Sequence, residues 1–116
     1  MARITASSLY GTLDLLILKT LSIGGSKHGL EIADEIYSRS GEELQVEEGA
    51  LYPALHRLQR AGLIAGEWRI SEKRRRAKFY DLTPSGHREL ERVQQEWTRH
   101  TQAVGRVLQV AWVEMR

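Results

Sequence analysis

The chain has 116 residues, 41% of them hydrophobic and 28% charged, with a formal net charge of +2 at pH 7. That length suits one domain with a single modest core. It contains no cysteine, which excludes disulfide staples, thiolate metal sites and thiol nucleophiles and fits a reducing compartment. The positive charge is unevenly spread: Arg69, Lys73, Arg74, Arg75, Arg76 and Lys78 form one short run opposed only by Glu72. Such a run is either an electrostatic footprint for phosphate or a solvated loop, and its neighbours decide which.

The first element expected is a helix from Leu9 to Leu21, apolar on nearly every side. A helix of that kind must be buried on more than one face, and in so small a chain a second subunit is a natural cover. Asp14 and Lys19 interrupt it, and it is shorter than the roughly 20 residues of a membrane span. With no charged-then-apolar leader ahead of a small-residue cleavage site, the expectation is a soluble cytoplasmic protein with no membrane partner. Gly24-Gly25-Ser26 breaks the pattern, and a second helix follows from about Gly29 to Ser38.

In the third helix Leu51, Leu55 and Leu58 recur at helical spacing and make one buried stripe. Gly49, Pro53, His56, Arg57 and Arg60 fall on the opposite side, with Tyr52 flanking them. Proline has no N–H to give, so Pro53 costs little if the helix begins near Ala50 and more if it begins at Glu47. Gly62 ends the helix. The period then changes to two. Ile64, Trp68 and Ile70 share one side of a strand, as do Tyr80 and Leu82 on the next, with the basic run at and after the hairpin tip. Thr83-Pro84 starts a final helix, with threonine as cap and proline at the first position. Leu90, Val93, Trp97, His100, Val104, Val107 and Ala111 lie alternately three and four apart along it, the spacing of a coiled-coil seam.

The fold expected is mainly α with a small β-hairpin. Residues 1–83 make a winged helix-turn-helix and residues 84–116 one long dimerisation helix, in one compact unit. In such proteins the second motif helix enters the major groove and reads base edges with its N-terminal residues. The expected contacts to double-stranded DNA are therefore Gly49, Ala50, Tyr52, Pro53, His56 and Arg57 from that helix, with Arg75, Arg76 and Lys78 from the wing. The dimer surface expected joins Leu13 and Leu16 on the first helix to Leu90, Val93, Trp97, Val104 and Val107 on the last. His28, His56, His87 and His100 lack the spacing of zinc ligands, and none is paired in sequence with a nucleophile. No metal, cofactor or enzyme activity is expected.

The stretch Gly49-Ala50-Leu51-Tyr52-Pro53-Ala54-Leu55, followed by Leu58 and Gly62-Leu63-Ile64, resembles the PadR family of bacterial transcriptional regulators. His28-Gly29-Leu30-Glu31-Ile32, Lys78-Phe79-Tyr80 and Leu82-Thr83-Pro84-Ser85-Gly86 match the same family in the same order, and the single last helix resembles its short form. The resemblance implies a homodimeric repressor on an inverted-repeat promoter operator, controlling its own gene and a neighbouring one. It also implies a small aromatic effector between the subunits, against Trp97 and with Leu15 as a wall, with Gln94 and Lys19 nearby in place of an uncharged lining. Another class of reading is a ligand-sequestering or protein-interaction winged-helix dimer without specific DNA binding; the basic third-helix face and wing argue for DNA.

Overall fold

The computed structural model describes the backbone of residues 6–110 and the side chains of residues 12–110. In chain order the elements are α1 (Ala6–Leu21), β1 (Lys27–His28), α2 (Gly29–Arg39), α3 (Glu48–Arg60), β2 (Ile64–Ile70), β3 (Arg76–Leu82) and α4 (Pro84–Leu108). The hairpin is antiparallel, in register from Ile64 opposite Leu82 to Ile70 opposite Arg76. It is not a lone hairpin. Lys27 and His28 pair with Tyr80 and Phe79, giving a three-stranded sheet in the order β1-β3-β2.

The core lies where the three helices meet the inner end of the sheet. Ile17, Leu18 and Leu21 of α1 pack with Ile32 and Ile36 of α2, Leu51, Ala54, Leu55 and Leu58 of α3, and Ile64 and Tyr80 of the sheet. Truncating a fully buried leucine such as Leu51 to alanine costs about 2–5 kcal/mol in cores of this kind. The expected leucine stripe of α3 is thus the part of the molecule around which the rest closes.

Two junctions fix the helices. At the first, the buried Lys27 ammonium donates to the carbonyls of Thr20 (3.1 Å) and Ile23 beyond the last turn of α1, and lies 3.8 Å from Glu35 of α2. A cation at a helix C-terminus satisfies orphan carbonyls and complements the macrodipole. At the second, α3 ends as expected at Gly62 (φ 78°), whose left-handed conformation lets Leu63 N–H reach the Leu58 carbonyl at 3.0 Å. Thr83 caps α4 by accepting from Gly86 N–H at 3.0 Å, and its hydroxyl donates to the Gly62 carbonyl at 2.7 Å. A Cβ on Gly86 would lie 2.1 Å from the Leu63 carbonyl oxygen, so the first turn of α4 rests directly on the backbone that follows α3.

Only the first part of α4 is spent on this core. Leu90 is 7% exposed and Val93 packs beside it, whereas further along Trp97 is 41% and Val107 is 81% exposed. Leu90, expected in the dimer surface, therefore belongs to the protomer's own core. So does Leu15, also 7% exposed, and a pocket with Leu15 as a wall would have to open that core. Ala111 and the side chain of Leu9 lie outside the described residues. Among the described residues no helix is long and apolar enough to cross a membrane.

Candidate nucleic-acid interface

Helix α3 begins at Glu48 with Glu47 as its cap residue, so Pro53 lies in the second turn and not at the helix start. The first α-helical bond runs from Leu51 N–H to the Glu47 carbonyl, at 2.9 Å. Counting on, the N–H that proline lacks is the one that would have reached the Gly49 carbonyl. The cost expected for the earlier start is therefore incurred. It falls on the exposed side of the helix, where water can satisfy that carbonyl. Gly49, Ala50, Pro53, His56 and Arg60 are all exposed there, so the outer face of α3 is small at its start and polar beyond.

Tyr52 lies at the edge of this face and packs its ring across the first residue of α2. A Cβ on Gly29 would stand 2.9 Å from the Tyr52 ring and hydroxyl, so only glycine lets the phenol lie there. The tyrosine remains 43% exposed. Burial, and secondarily the nearby Tyr52, pushes the Tyr80 phenol above the usual tyrosine range. Tyr80 therefore stays protonated at physiological pH and keeps its O–H to donate. The start of α2 is closed by a capping box: His28 N–H donates to Glu31 Oε1 at 3.0 Å, and Glu31 N–H is received by His28 Nδ1 at 3.4 Å.

Tyr52, the start of α2 and the inner face of the hairpin enclose an open cleft of about 720 Å³, lined by Lys73, Arg75, Arg76 and Lys78 and by the carboxylates Glu31, Asp34 and Glu72. The hairpin turns through Glu72-Lys73-Arg74, with Ser71 N–H bonded to the Arg75 carbonyl at 2.8 Å and Arg74 held at φ 60°. A left-handed residue closing a three-residue loop is usually glycine, and here an arginine takes the strain. The side chains of Arg76 and Lys78 point to the same side as Trp68 and Tyr80. The Arg76 guanidinium carbon is 4.6 Å from the Trp68 ring centroid, and the Lys78 ammonium 5.8 Å from that of Tyr80. Arg69, on the opposite side, lies over Phe79 and is 3.0 Å from Glu67 and 3.8 Å from Asp81.

Of the expected contacts, Tyr52, Arg75, Arg76 and Lys78 line one cleft, Gly49, Ala50, Pro53 and His56 lie exposed on α3, and Arg57 turns elsewhere. Arg57 reaches back to α1 and bonds Asp14 at 2.8 Å, so its charge is committed to a carboxylate and does not lie free on the outer face. Burial raises the Asp14 carboxyl above its usual range, and the Arg57 ion pair and hydrogen bond only partly offset this. Sequence spacing places Arg57 correctly opposite the leucines, but Asp14 is distant in the chain. Trp68 was legible as a member of the inner face; its exposure and its pairing with Arg76 were not.

Three helices, a three-stranded sheet and a basic two-stranded wing beside the exposed third helix define a winged helix-turn-helix protein. The chain belongs to the PadR-like family of transcriptional regulators, whose family model matches residues 17–92. These are regulators and not enzymes. A transcriptional regulator of Mycobacterium tuberculosis is 42% identical over 59 residues, covering 51% of each chain. Among solved structures, a transcriptional regulator from Clostridium thermocellum superposes with a TM-score of 0.75 at 28% identity, covering 90% of this chain and 97% of that one. A PadR-like transcriptional regulator from Bacillus cereus gives 0.73 at 29% identity, covering 91% and 100%.

Proposed function

We propose that this regulator is a homodimeric repressor that places α3 of each subunit in successive major grooves of an inverted-repeat operator, with the wing on the adjoining phosphates. The observation that carries this reading is the cleft between Tyr52 and the wing, where Lys73, Arg75, Arg76 and Lys78 outnumber Glu31, Asp34 and Glu72, while the outer face of α3 is left exposed. Gly49, Ala50 and Pro53 give the backbone close approach, Tyr52 and His56 offer polar contacts, and Arg75, Arg76 and Lys78 hold phosphates. Arg57 is left out of the contact set because of Asp14.

Dimerisation through the outer part of α4 and the residues just past it is supported by Trp97, Val107, Leu108 and Val110, all exposed in the single chain. With Leu13, Leu16, Val93 and Val104 they supply an apolar surface for a second copy. His100 Nε2 is buried with no hydrogen-bond partner among the described residues, beside Trp97 at 6.1 Å between ring centroids. A second subunit, or a small aromatic effector resting on Trp97, would supply that partner. We further propose that the protein is cytoplasmic and controls its own promoter and a neighbour's.

The test is binding to its own upstream promoter fragment, titrated with salt, alongside light scattering for the dimer mass. A discrete complex that survives competitor DNA, with log affinity falling by about 0.9 per phosphate contact per unit of log salt, supports the reading. Equally weak binding to every duplex overturns it.

A further inference from the structure

The inner face of the wing extends beyond the core, and a tryptophan stands where burial gives no reason for one. Ile64, at the inner end of β2, is 2% exposed, while Trp68 on the same side of the strand is 55% exposed. What Trp68 does touch is Arg76. In register Arg76 sits opposite Ile70 and Trp68 opposite Lys78, so Arg76 reaches its indole along the diagonal between strands. Among the described residues no carboxylate and no hydrogen-bond acceptor engages the Arg76 guanidinium, which rests on the indole instead.

That mode of holding an arginine has a chemical consequence. A guanidinium held over a ring keeps its charge and is not spent on a carboxylate, whereas an ion pair occupies the N–H edge and cancels the charge. A guanidinium with a free edge matches the two oxygens of a phosphate bidentately. Lys78 is treated in the same way on the next rung. A Cβ on Gly66 would meet Lys78 Cε at 2.6 Å and Tyr80 Cε1 at 3.2 Å, so the lysine stem lies in the space that glycine leaves, against the tyrosine.

We propose that Trp68 is a positioning residue of the DNA interface: it pre-orients Arg76 over the cleft so that the guanidinium edge meets a phosphodiester, without Trp68 itself contacting DNA. This rests on the DNA-binding reading above. It makes an exposed aromatic, and not a basic or polar residue, a determinant of phosphate contact.

The experiment is a double-mutant cycle with Trp68→Leu, Arg76→Gln and both together, with Trp68→Phe as the conservative control. In the free protein, NMR should show the Arg76 side-chain protons shifted upfield by the indole ring current, and Trp68→Leu should abolish that shift. On DNA, each single change should weaken binding about 3- to 10-fold and flatten the salt slope by about one phosphate contact per subunit. The double variant should bind no more weakly than Arg76→Gln alone, because the two changes remove one interaction. Trp68→Phe should keep most of the affinity, and melting temperatures should stay near that of the parent. The proposal is overturned if the two losses multiply, which would make Trp68 a DNA contact or a structural support in its own right, or if Trp68→Leu leaves the slope unchanged. The cycle is run on the operator and on a random duplex. The slope reads phosphates on either, so loss of operator specificity would count against the repressor reading and leave the positioning role of Trp68 standing.

Discussion

One arginine of α3, Arg57, ends on a carboxylate, and one arginine of the wing, Arg76, ends over an indole. Arg57 and Asp14 bond at 2.8 Å between α3 and α1; Arg76 lies 4.6 Å over Trp68. Each side chain has one partner that holds it, and such holding is useful to a binding surface because it removes rotamer entropy before the ligand arrives. The difference lies in what is left over. An ion pair leaves a phosphate to compete with a carboxylate already in place. An aromatic face orders the cation and leaves its charge unspent. On the DNA-binding reading proposed above, this contrast would make α3 a shape-fitted reader with a braced flank and leave the phosphate attraction to the wing.

The comparison breaks first under charge removal on the wing. Changing Arg75, Arg76 and Lys78 together to glutamine should lower affinity at physiological salt by about 100-fold or more and flatten the salt slope by about 5.4, three contacts' worth in each of two subunits, measured by a fluorescence shift of labelled duplex. Gly66→Val is a finer probe. It adds no charge and favours a strand, yet its Cβ takes the space of the Lys78 stem. Affinity should fall by about 3-fold, with a salt slope shallower by at most about one contact per subunit and an unchanged circular dichroism spectrum.

On the other side of the contrast, Arg57→Gln should leave the salt slope alone and lower stability by about 1 kcal/mol at pH 7, measured by urea unfolding. The pH dependence fixes the cause. The folded-state pKa of Asp14 lies above its ordinary value of 3.8, so between those two values the native state binds more protons than the unfolded one. Its contribution to stability is therefore greatest at the acid end and falls as pH rises through the window. Removing Arg57 leaves the ionised carboxylate unbraced, so the deficit should appear above the window and close below it. Asp14→Asn is the smallest change. With burial opposing the ionised form, its loss should alter stability at pH 7 by less than about 0.5 kcal/mol, while leaving Arg57 without its partner.

The helices and the hairpin were legible because each carries its own signal over many residues. The α3 leucines, the Gly62 stop and the Thr83-Pro84 start each dictate local geometry, and the structure places them as expected. β1 was not legible. Two residues show no alternation, and Lys27 and His28 form a strand only because β3 offers an edge. Pro53 was ambiguous because its cost depends on a boundary that Glu47 and Glu48 do not mark with a side-chain cap. In the candidate site, periodicity assigned residues to faces correctly. It could not show that α1 brings Asp14 to Arg57, or that the sheet outruns its core so that Trp68 emerges beside Arg76. Those are tertiary facts, set by where elements end relative to one another.

The seat of Gly86 on the Leu63 carbonyl makes α4 a lever. Its first turn cannot shift without carrying the end of α3 with it, and its 25 residues span about 37 Å. If two copies join along the far part of that helix, a swing of about 5° there would move the reading helix by about 3 Å, close to the rise of one base pair. The molecule then acts as a caliper. Whatever sets the angle at the shared end, whether the partner's surface or a compound resting on Trp97, sets the spacing of half-sites it can grip, and no residue that touches DNA need change.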